Sequence, residues 1–202
     1  MKNIFDTFPD SYIESSKRMI QTPSPIARST FFYVQETGYL KLKESHRASR
    51  KNLDSYLIVL VLSGSGTLMY DGKTYPLKKG DCFFIDCMVP YYHQSNADDP
   101  WELIWVHFQG ATTQEYYRFF SGFSAPVFFP SAFGELHEKF VSLLDANKES
   151  NLSAEIASSR LIMDILSIIL QEITKPKGTA TSHKINLEQV RNYLDEHYME
   201  KF

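Results

Sequence analysis

Residues 56–86 read YLIVLVLSGSGTLMYDGKTYPLKKGDCFFID and hold the clearest structural signals in the chain. The continuous apolar run over residues 56–62 is typical of a strand buried on both faces. A glycine-containing stretch interrupts that run, and Asp71-Gly72 between two short strand-like stretches is a strong hairpin signal. A further strand is expected from Cys82 to Ile85. The segment therefore predicts closely spaced antiparallel strands.

Strand signals continue on both sides of this segment. Residues 31–34 and 39–42 predict two short strands separated by a turn at 36–38, and a polar, basic loop follows over residues 43–52. About eight short strands with glycine and proline turns predict a small jelly roll or barrel. Alternation over residues 101–108 places on one face Trp101, Leu103, Trp105 and His107.

The pattern becomes helical after Gly110. Helices are predicted over residues 112–120, from 131 through 144, and from 153 to about 174. The last helix has an apolar stripe broad enough to pack on two neighbours. One neighbour is the preceding helix or the barrel. The other is either the chain's own barrel or a second protomer, and in the second case the dimer seam contains Leu161, Ile165 and Ile168.

The two ends of the chain differ in composition from its middle. One short helix is expected around residues 10–19 of a mixed N-terminal arm. The last amphipathic segment has an apolar face with no later sequence to cover it, so we expect a fragment cut just inside a second domain. The expected parts are an arm (1–29), a barrel (30–110), a helical dimerisation region (111–174), a linker (175–184) and the start of a second domain (185–202).

Composition excludes several classes of protein. The 202 residues are 43% hydrophobic and 22% charged, as in an ordinary globular protein. The longest apolar run is far too short for a membrane helix and no secretory leader is visible, so we expect a cytoplasmic protein. Cys82 and Cys87 are too few for a disulfide framework or a zinc site. A net charge of −3 indicates poor DNA binding by these residues alone.

Several motifs together resemble the effector domain of AraC-type transcriptional regulators. They are Asp54-Ser55-Tyr56-Leu57, Gly64-Ser65-Gly66, Gly80-Asp81, the segment WELIWVHFQG (101–110), and VRNYLDEHY (190–198), which is similar to the opening helix of that family's DNA-binding domain. The resemblance implies an α+β fold: a small cupin/jelly-roll β-barrel followed by a helical hairpin. It also implies a small effector, often a sugar, a homodimer formed through the hairpin, and DNA contacts made only by helix-turn-helix motifs beyond Phe202.

A carbohydrate site needs aromatic platforms and a few fixed donors and acceptors. Arg47 and Arg50 lie in a loop that could fold over the barrel mouth. By the resemblance, Trp105 and His93 match positions that line the family's pocket, as does one of the two arginines. Both tryptophans can instead be core residues, the two arginines can instead belong to a solvated face, and His107 is expected to be structural. The candidate ligand-binding residues are Trp105, His93, Tyr91, Arg47, Arg50, Trp101 and Tyr56.

Two other functions compete with an effector sensor. One is a metal-dependent cupin enzyme, an isomerase or oxygenase, whose site needs a His-x-His pair, a glutamate and a third histidine. No two of the six histidines have that spacing, so we expect neither catalysis, nor a metal, nor a cofactor. The other is a purely structural dimerisation module with a filled barrel.

Overall fold

A computed structural model describes residues 16–42 and 46–175. The predicted linker and second domain, and most of the helix predicted over residues 10–19, lie outside the described residues. The described elements are β1 (Lys17–Ile20), α1 (Pro25–Thr30), β2 (Tyr33–Lys41), β3 (Arg47–Arg50), β4 (Tyr56–Ser63), β5 (Ser65–Tyr70), β6 (Lys73–Lys78), β7 (Cys82–Asp86), β8 (Tyr91–Ser95), β9 (Glu102–Gln109), α2 (Thr113–Phe123), β10 (Val127–Phe128), α3 (Phe133–Ala146) and α4 (Leu152–Thr174).

The strands form two antiparallel sheets whose inner faces pack together. The larger sheet has the order β1-β2-β9-β4-β7-β10, and the smaller has the order β3-β8-β5-β6. Asp71 and Gly72 have φ values of 49° and 69° and connect Tyr70 to Lys73 in register, which confirms the predicted hairpin. Helices α2, α3 and α4 pack on the outer face of the larger sheet. The predicted α+β fold, a cupin-type jelly roll with a helical hairpin, is confirmed.

The larger sheet is covered on both faces, which explains the continuous apolar run of β4. Ile58 and Leu60 belong to the core beneath the helices, whereas Leu57 and Val59 belong to the core between the sheets. All four side chains are at most 2% exposed. Burying an aliphatic side chain of this size stabilises the fold by about 1.5–3 kcal/mol. Strand β4 therefore anchors both cores.

Three segments differ from the sequence predictions. Residues 36–38 are not a turn but lie inside β2, where the pairing with β9 shifts between Val34 and Glu36. Such a bulge interrupts the regular alternation, so the polar triplet ending in glycine resembles a turn. Strand β3 lies within the segment predicted as a basic loop, and residues 17–19 belong to strand β1 instead of a helix.

Helices α3 and α4 form the predicted helical hairpin. The chain turns between them at Asn147, which is 5% exposed. Its Nδ2 donates to the carbonyl of Leu143 at 2.8 Å and to Oγ of Ser158 at 2.9 Å. Asn151 caps α4 by accepting a hydrogen bond from the backbone N–H of Ala154 at 2.9 Å. These bonds fix the tip of the hairpin.

The residues predicted for a dimer seam are buried inside this chain. Leu161, Ile165 and Ile168 are 5%, 0% and 9% exposed and belong to the core beneath the helices. The apolar stripe of α4 is broad because the helix packs on α2, α3 and β2 together. These three side chains are therefore not available to a second protomer. Exposed apolar side chains on the hairpin include Val141 and Ile156.

Residues 16–30 join the larger sheet to the tip of the hairpin. Nε2 of Gln21 donates to the carbonyl of Asn147 at 2.7 Å. The backbone N–H and the hydroxyl of Ser24 both donate to the carboxylate of Glu155, each at 2.6 Å. A displacement of β1 would therefore act on the helical hairpin. Within the described parts of the chain, no helix combines the length and apolarity needed to span a bilayer.

Candidate functional site between the two sheets

An indole ring lies over a glycine on the inner face of the larger sheet. Trp105 in β9 is the direct partner of Gly38 in β2. A Cβ atom at position 38 would lie 2.3 Å from Cη2 of Trp105, so only glycine leaves room for the ring. Nε1 of Trp105 donates to Oε1 of Glu36 at 3.2 Å. The half-buried indole is thus held both by shape and by a hydrogen bond.

Glu36 is the charged centre of the site. Its side chain is 13% exposed and lies 2.8 Å from Nη2 of Arg18 and 3.8 Å from Nη2 of Arg50. Burial alone would raise the pKa of Glu36, but the hydrogen bond from Arg18 and the surrounding positive charge hold the pKa below its usual value. Glu36 is therefore a carboxylate at neutral pH, with acceptor capacity only.

Arg18 and Glu36 were both missed by the sequence analysis. The sequence predicts a turn at Glu36 and a short helix in the N-terminal arm at Arg18, and both residues lie in strands instead. The signal that could have found Glu36 is its position two residues before Gly38, opposite a strand that carries a tryptophan. Nothing in the sequence near Arg18 marks it as a site residue.

Only one of the two candidate arginines faces this site. In β3, Arg50 pairs with Tyr91 of β8, whereas Arg47 pairs with Gln94. Successive side chains of a strand point to opposite faces, so the two arginines, three residues apart, lie on opposite faces of the sheet. Arg50 reaches Glu36 across the space between the sheets. Arg47 is exposed on the outer face, and the site does not include it.

His107 pairs with Glu36 across strands β2 and β9 and is a hydrogen-bonded core residue. It is 5% exposed, and its Nδ1 lies 3.1 Å from Oγ of Ser55 and 3.9 Å from Sγ of Cys87. Burial lowers the pKa of His107 to about 4, opposed by Glu36 and assisted by Arg50. The imidazole is neutral at physiological pH.

His93 and Trp101 bring two unpaired polar atoms deep into the space between the sheets. They are 8% and 0% exposed, and their ring centroids are 5.5 Å apart. Within the part of the chain that the structure describes, Nδ1 of His93 and Nε1 of Trp101 have no hydrogen-bond partner. Leaving such a group unpaired costs about 1–3 kcal/mol. Burial lowers the pKa of His93 to about 3, so this ring is neutral as well.

Tyr91 completes the inner face of the smaller sheet beside His93. It is 4% exposed, and burial with the nearby Cys87 raises the pKa of its hydroxyl. Burial likewise raises the pKa of the Cys87 thiol to about 12. Both groups are protonated at neutral pH, so neither is an activated nucleophile.

Tyr56 does not belong to this site. Its ring lies on the other face of the larger sheet, in the core beneath the helices, 5.3 Å from the ring of Tyr117. The reason is strand parity, because Tyr56 precedes by one residue the inward-facing Leu57. Of the predicted ligand residues, the structure brings together Trp105, Arg50, Tyr91, His93 and Trp101, and it leaves out Arg47 and Tyr56.

The arrangement can bind a polar molecule but shows no grouping of metal ligands. Among residues 16–42 and 46–175, no three histidine, cysteine or carboxylate side chains are placed to hold a metal ion. The inner face instead offers an aromatic platform, one carboxylate and a guanidinium at 3.8 Å from it. These are the groups that recognise hydroxyl-rich ligands.

Comparison with known proteins identifies the family. Residues 33–177 match the sequence model of the AraC-like ligand-binding domain. The chain belongs to this family. The matched residues include strands β2 to β10 and the helical hairpin, so they contain every residue of the site described above except Arg18. The chain is thus an effector-sensing regulatory domain, and its family implies a small-molecule effector.

Two curated proteins and one solved structure resemble this AraC-like domain. The Msm operon regulatory protein of Streptococcus mutans is 22% identical over 148 residues, which are 72% of this chain and 53% of that protein. The putative mannose-6-phosphate isomerase YvyI of Bacillus subtilis is 35% identical over 81 residues, 40% of this chain and 25% of that protein. The chain therefore spans about half the length of the regulator and a quarter of the length of the isomerase.

One solved structure shares the fold over most of the chain. The AraC-like transcriptional activator CuxR superposes with a TM-score of 0.50 at 12% identity, covering 90% of this chain and 70% of that chain. At this identity the likeness establishes the fold of the AraC-like domain alone.

Proposed function

We propose that this domain binds a carbohydrate effector between its two sheets and thereby controls transcription as part of a cytoplasmic homodimer. The DNA contacts would come from residues outside the described part of the chain. The observation that carries the proposal is the Trp105 indole, seated on Gly38 and hydrogen-bonded to Glu36. An aromatic face beside a carboxylate and a guanidinium is the combination that a sugar requires.

Each group of the site has a role in this proposal. The C–H face of a pyranose or furanose would lie on the Trp105 ring. Glu36, ionised because its pKa is held low, would accept hydrogen bonds from ligand hydroxyls. Arg50, which is 3.8 Å from Glu36, would donate to ligand oxygens. Nε1 of Trp101 and Nδ1 of His93, unpaired in the described structure, would serve a ligand group or a water at the bottom of the site.

Sensing without catalysis fits the protonation states of the site. His93 and His107 have pKa values of about 3 and 4 and cannot act as acid or base near neutral pH. The similarity to a putative mannose-6-phosphate isomerase covers 40% of this chain and supports a sugar-like ligand for it. We infer a binding module that shares its ligand class with that relative but leaves its ligand unchanged.

A path for the signal runs from the site through residues 16–30. Arg18 holds Glu36 at 2.8 Å and lies on β1. Three residues later, Gln21 holds the tip of the helical hairpin through Asn147. A ligand hydroxyl that competes for Glu36 would change the pairing of Arg18 and so shift β1 relative to the hairpin. The exposed Ile156 and Met163 on α4 would then take part in the homodimer contact.

The proposal is tested by thermal unfolding of the chain with a panel of ligands, with and without EDTA. The panel holds glucose, mannose, galactose, arabinose, maltose, sucrose and mannose 6-phosphate. A ligand at a hundred times its dissociation constant adds about 2.7 kcal/mol, which for this size raises the midpoint by roughly 5–11 °C. We expect such a shift with one sugar class, unaffected by EDTA, and recovery of the ligand unchanged. A midpoint that falls with EDTA, or conversion of the sugar, would support the enzyme instead.

A further inference from the structure

A cavity of about 550 Å³ lies on the opposite side of the larger sheet from the site of Trp105. Strand β1 extends this sheet at its edge, while α3 packs on β2 and β9, so a wedge remains open between β1 and α3. Cavities of about 300–1,000 Å³ are typical of small-molecule sites. We call this cavity the β1–α3 cleft.

The register of the sheet separates the cleft from the site between the sheets. Lys17 pairs with Tyr39, and Tyr39 pairs with Ile104, so these three side chains lie on one face. Ile104 belongs to the core beneath the helices, which fixes that face as the outer one. Trp105, the next residue, points to the inner face. A ligand in the cleft would therefore not contact the Trp105 ring.

The floor of the cleft is apolar. Ile104 is 1% exposed and forms part of the lining together with Met19, Val141 and Leu144. Val141 on α3 is 41% exposed although it is aliphatic. An occupant with an apolar body would cover the apolar side chains of this floor and remove their surface from water, which is favourable.

The rim of the cleft carries excess positive charge. Nζ of Lys148 lies 2.6 Å from Oδ1 of Asp145. The ammonium groups of Lys148 and Lys17 both hold the pKa of the Asp145 carboxyl below its usual value. Among the described residues that line the cleft, Asp145 is the only carboxylate. Two ammonium groups therefore share one negative charge, and the charge of Arg18 is directed to Glu36.

We propose that the β1–α3 cleft binds an amphipathic monocarboxylate, with its apolar chain against Ile104 and Val141 and its carboxylate between Lys17 and Lys148. The apolar floor selects the body of this ligand, and the unbalanced ammonium charge selects its head. Bound there, the ligand would bridge β1 and α3. The two proposals rest on different side chains, and neither requires the other.

The test is isothermal titration calorimetry of the 202-residue chain with octanoate, octanol and octylammonium. Octanoate should bind with a stoichiometry of one, octanol more weakly, and octylammonium at least tenfold more weakly. Lys17→Gln should weaken octanoate by about two- to fivefold, the range of a solvent-exposed ion pair, and leave octanol unchanged. Equal affinity for the three probes, or no binding of octanoate, would overturn the proposal.

Two variants of matched exposure place the ligand. Val141→Trp fills the cleft from an exposed position and should reduce octanoate affinity at least tenfold. Met69→Trp introduces the same side chain on β5 of the smaller sheet, outside the cleft lining and 50% exposed, and should leave octanoate binding unchanged. Trp105→Ala should also leave it unchanged. Binding that survives Val141→Trp, or that is lost in Trp105→Ala, would contradict a site in the cleft.

Discussion

Trp105 and Gly38 share one space on the inner face of the larger sheet, since a Cβ atom on Gly38 would lie 2.3 and 2.4 Å from two ring carbons of Trp105. The glycine is thus a condition for the position of the ring. The ring, in turn, is aligned by its hydrogen bond to Glu36 at 3.2 Å. The polar triplet that looked like a turn in the sequence is, in the structure, the support of the candidate site.

Replacing Gly38 by alanine should therefore displace the indole. We expect Gly38→Ala to lower the free energy of unfolding by about 1–3 kcal/mol, as overpacking does, and to weaken binding of the sugar found in the unfolding panel. Gly122→Ala in α2 is the matched control, because nothing lies within 4 Å of a Cβ atom there. It should stabilise the chain slightly, by about 0.5–1 kcal/mol. Urea unfolding and calorimetry measure both effects, and equal behaviour of the two variants would contradict the prediction.

The two arginines of β3 provide a second matched pair. Arg50→Gln removes the guanidinium that lies 3.8 Å from Glu36 and should weaken sugar binding by about tenfold. Arg47→Gln removes an equal charge from the outer face of the same strand, in register with Gln94, and should leave the affinity unchanged. Calorimetric titration of both variants with the sugar measures the two affinities. A similar loss in both would mean that net charge, and not position, sets the affinity.

Glu36→Gln tests the charged centre of the site. Glutamine can still accept the bond from Trp105 but leaves Arg18 and Arg50 without the negative charge they share. We expect a loss of stability of about 1–3 kcal/mol at pH 7 and a loss of sugar binding. Because the pKa of Glu36 is lowered on folding, its contribution is complete above the unfolded value of 4.5 and disappears as pH falls through the lower folded value. The difference between wild type and variant should therefore shrink only below about pH 4.5, as chemical unfolding at several pH values would show.

The two buried histidines predict a second pH dependence in a different window. Their pKa values fall from 6.5 to about 3 for His93 and about 4 for His107 on folding. Below pH 6.5 the unfolded chain binds protons that the folded chain does not, so stability should decrease as pH is lowered. Each histidine contributes up to about 2 kcal/mol of this loss at pH 5. His93→Gln should flatten the profile between pH 6.5 and 5, and an unchanged slope would contradict a buried neutral His93.

Much of the fold could be predicted because its signals are local. The apolar run of β4, the Asp71-Gly72 hairpin and the alternation of β9 each follow from the side-chain period of a strand. The bulge in β2 broke that period, so Glu36 could not be placed on the inner face from sequence. Strand β3 could not be predicted for a different reason, because a strand within a polar segment shows no alternation of apolar and polar residues. The sequence therefore could not tell which of the two arginines faces inward.

The helical layer shows another limit of sequence patterns. A broad apolar stripe reveals that a helix has more than one neighbour but not which chain supplies them. In α4 the neighbours of Leu161 and Ile165 are the chain's own sheet and helices. The prediction that Tyr56 lines the ligand site was wrong for a simpler reason. Strand β4 is apolar on both faces, so the sequence does not indicate which face its one aromatic residue joins.

The most direct test of the central claim is calorimetric titration of wild type, Trp105→Ala and Trp105→Phe with the sugar that raises the unfolding midpoint. If the effector lies on the Trp105 ring, alanine should abolish binding and phenylalanine, which retains a smaller aromatic face, should keep it with lower affinity. The two variants should retain the unfolding cooperativity of the wild type, since Trp105 is only half-buried. Wild-type affinity in Trp105→Ala, or no sugar that binds the wild-type chain, would contradict a carbohydrate site between the two sheets.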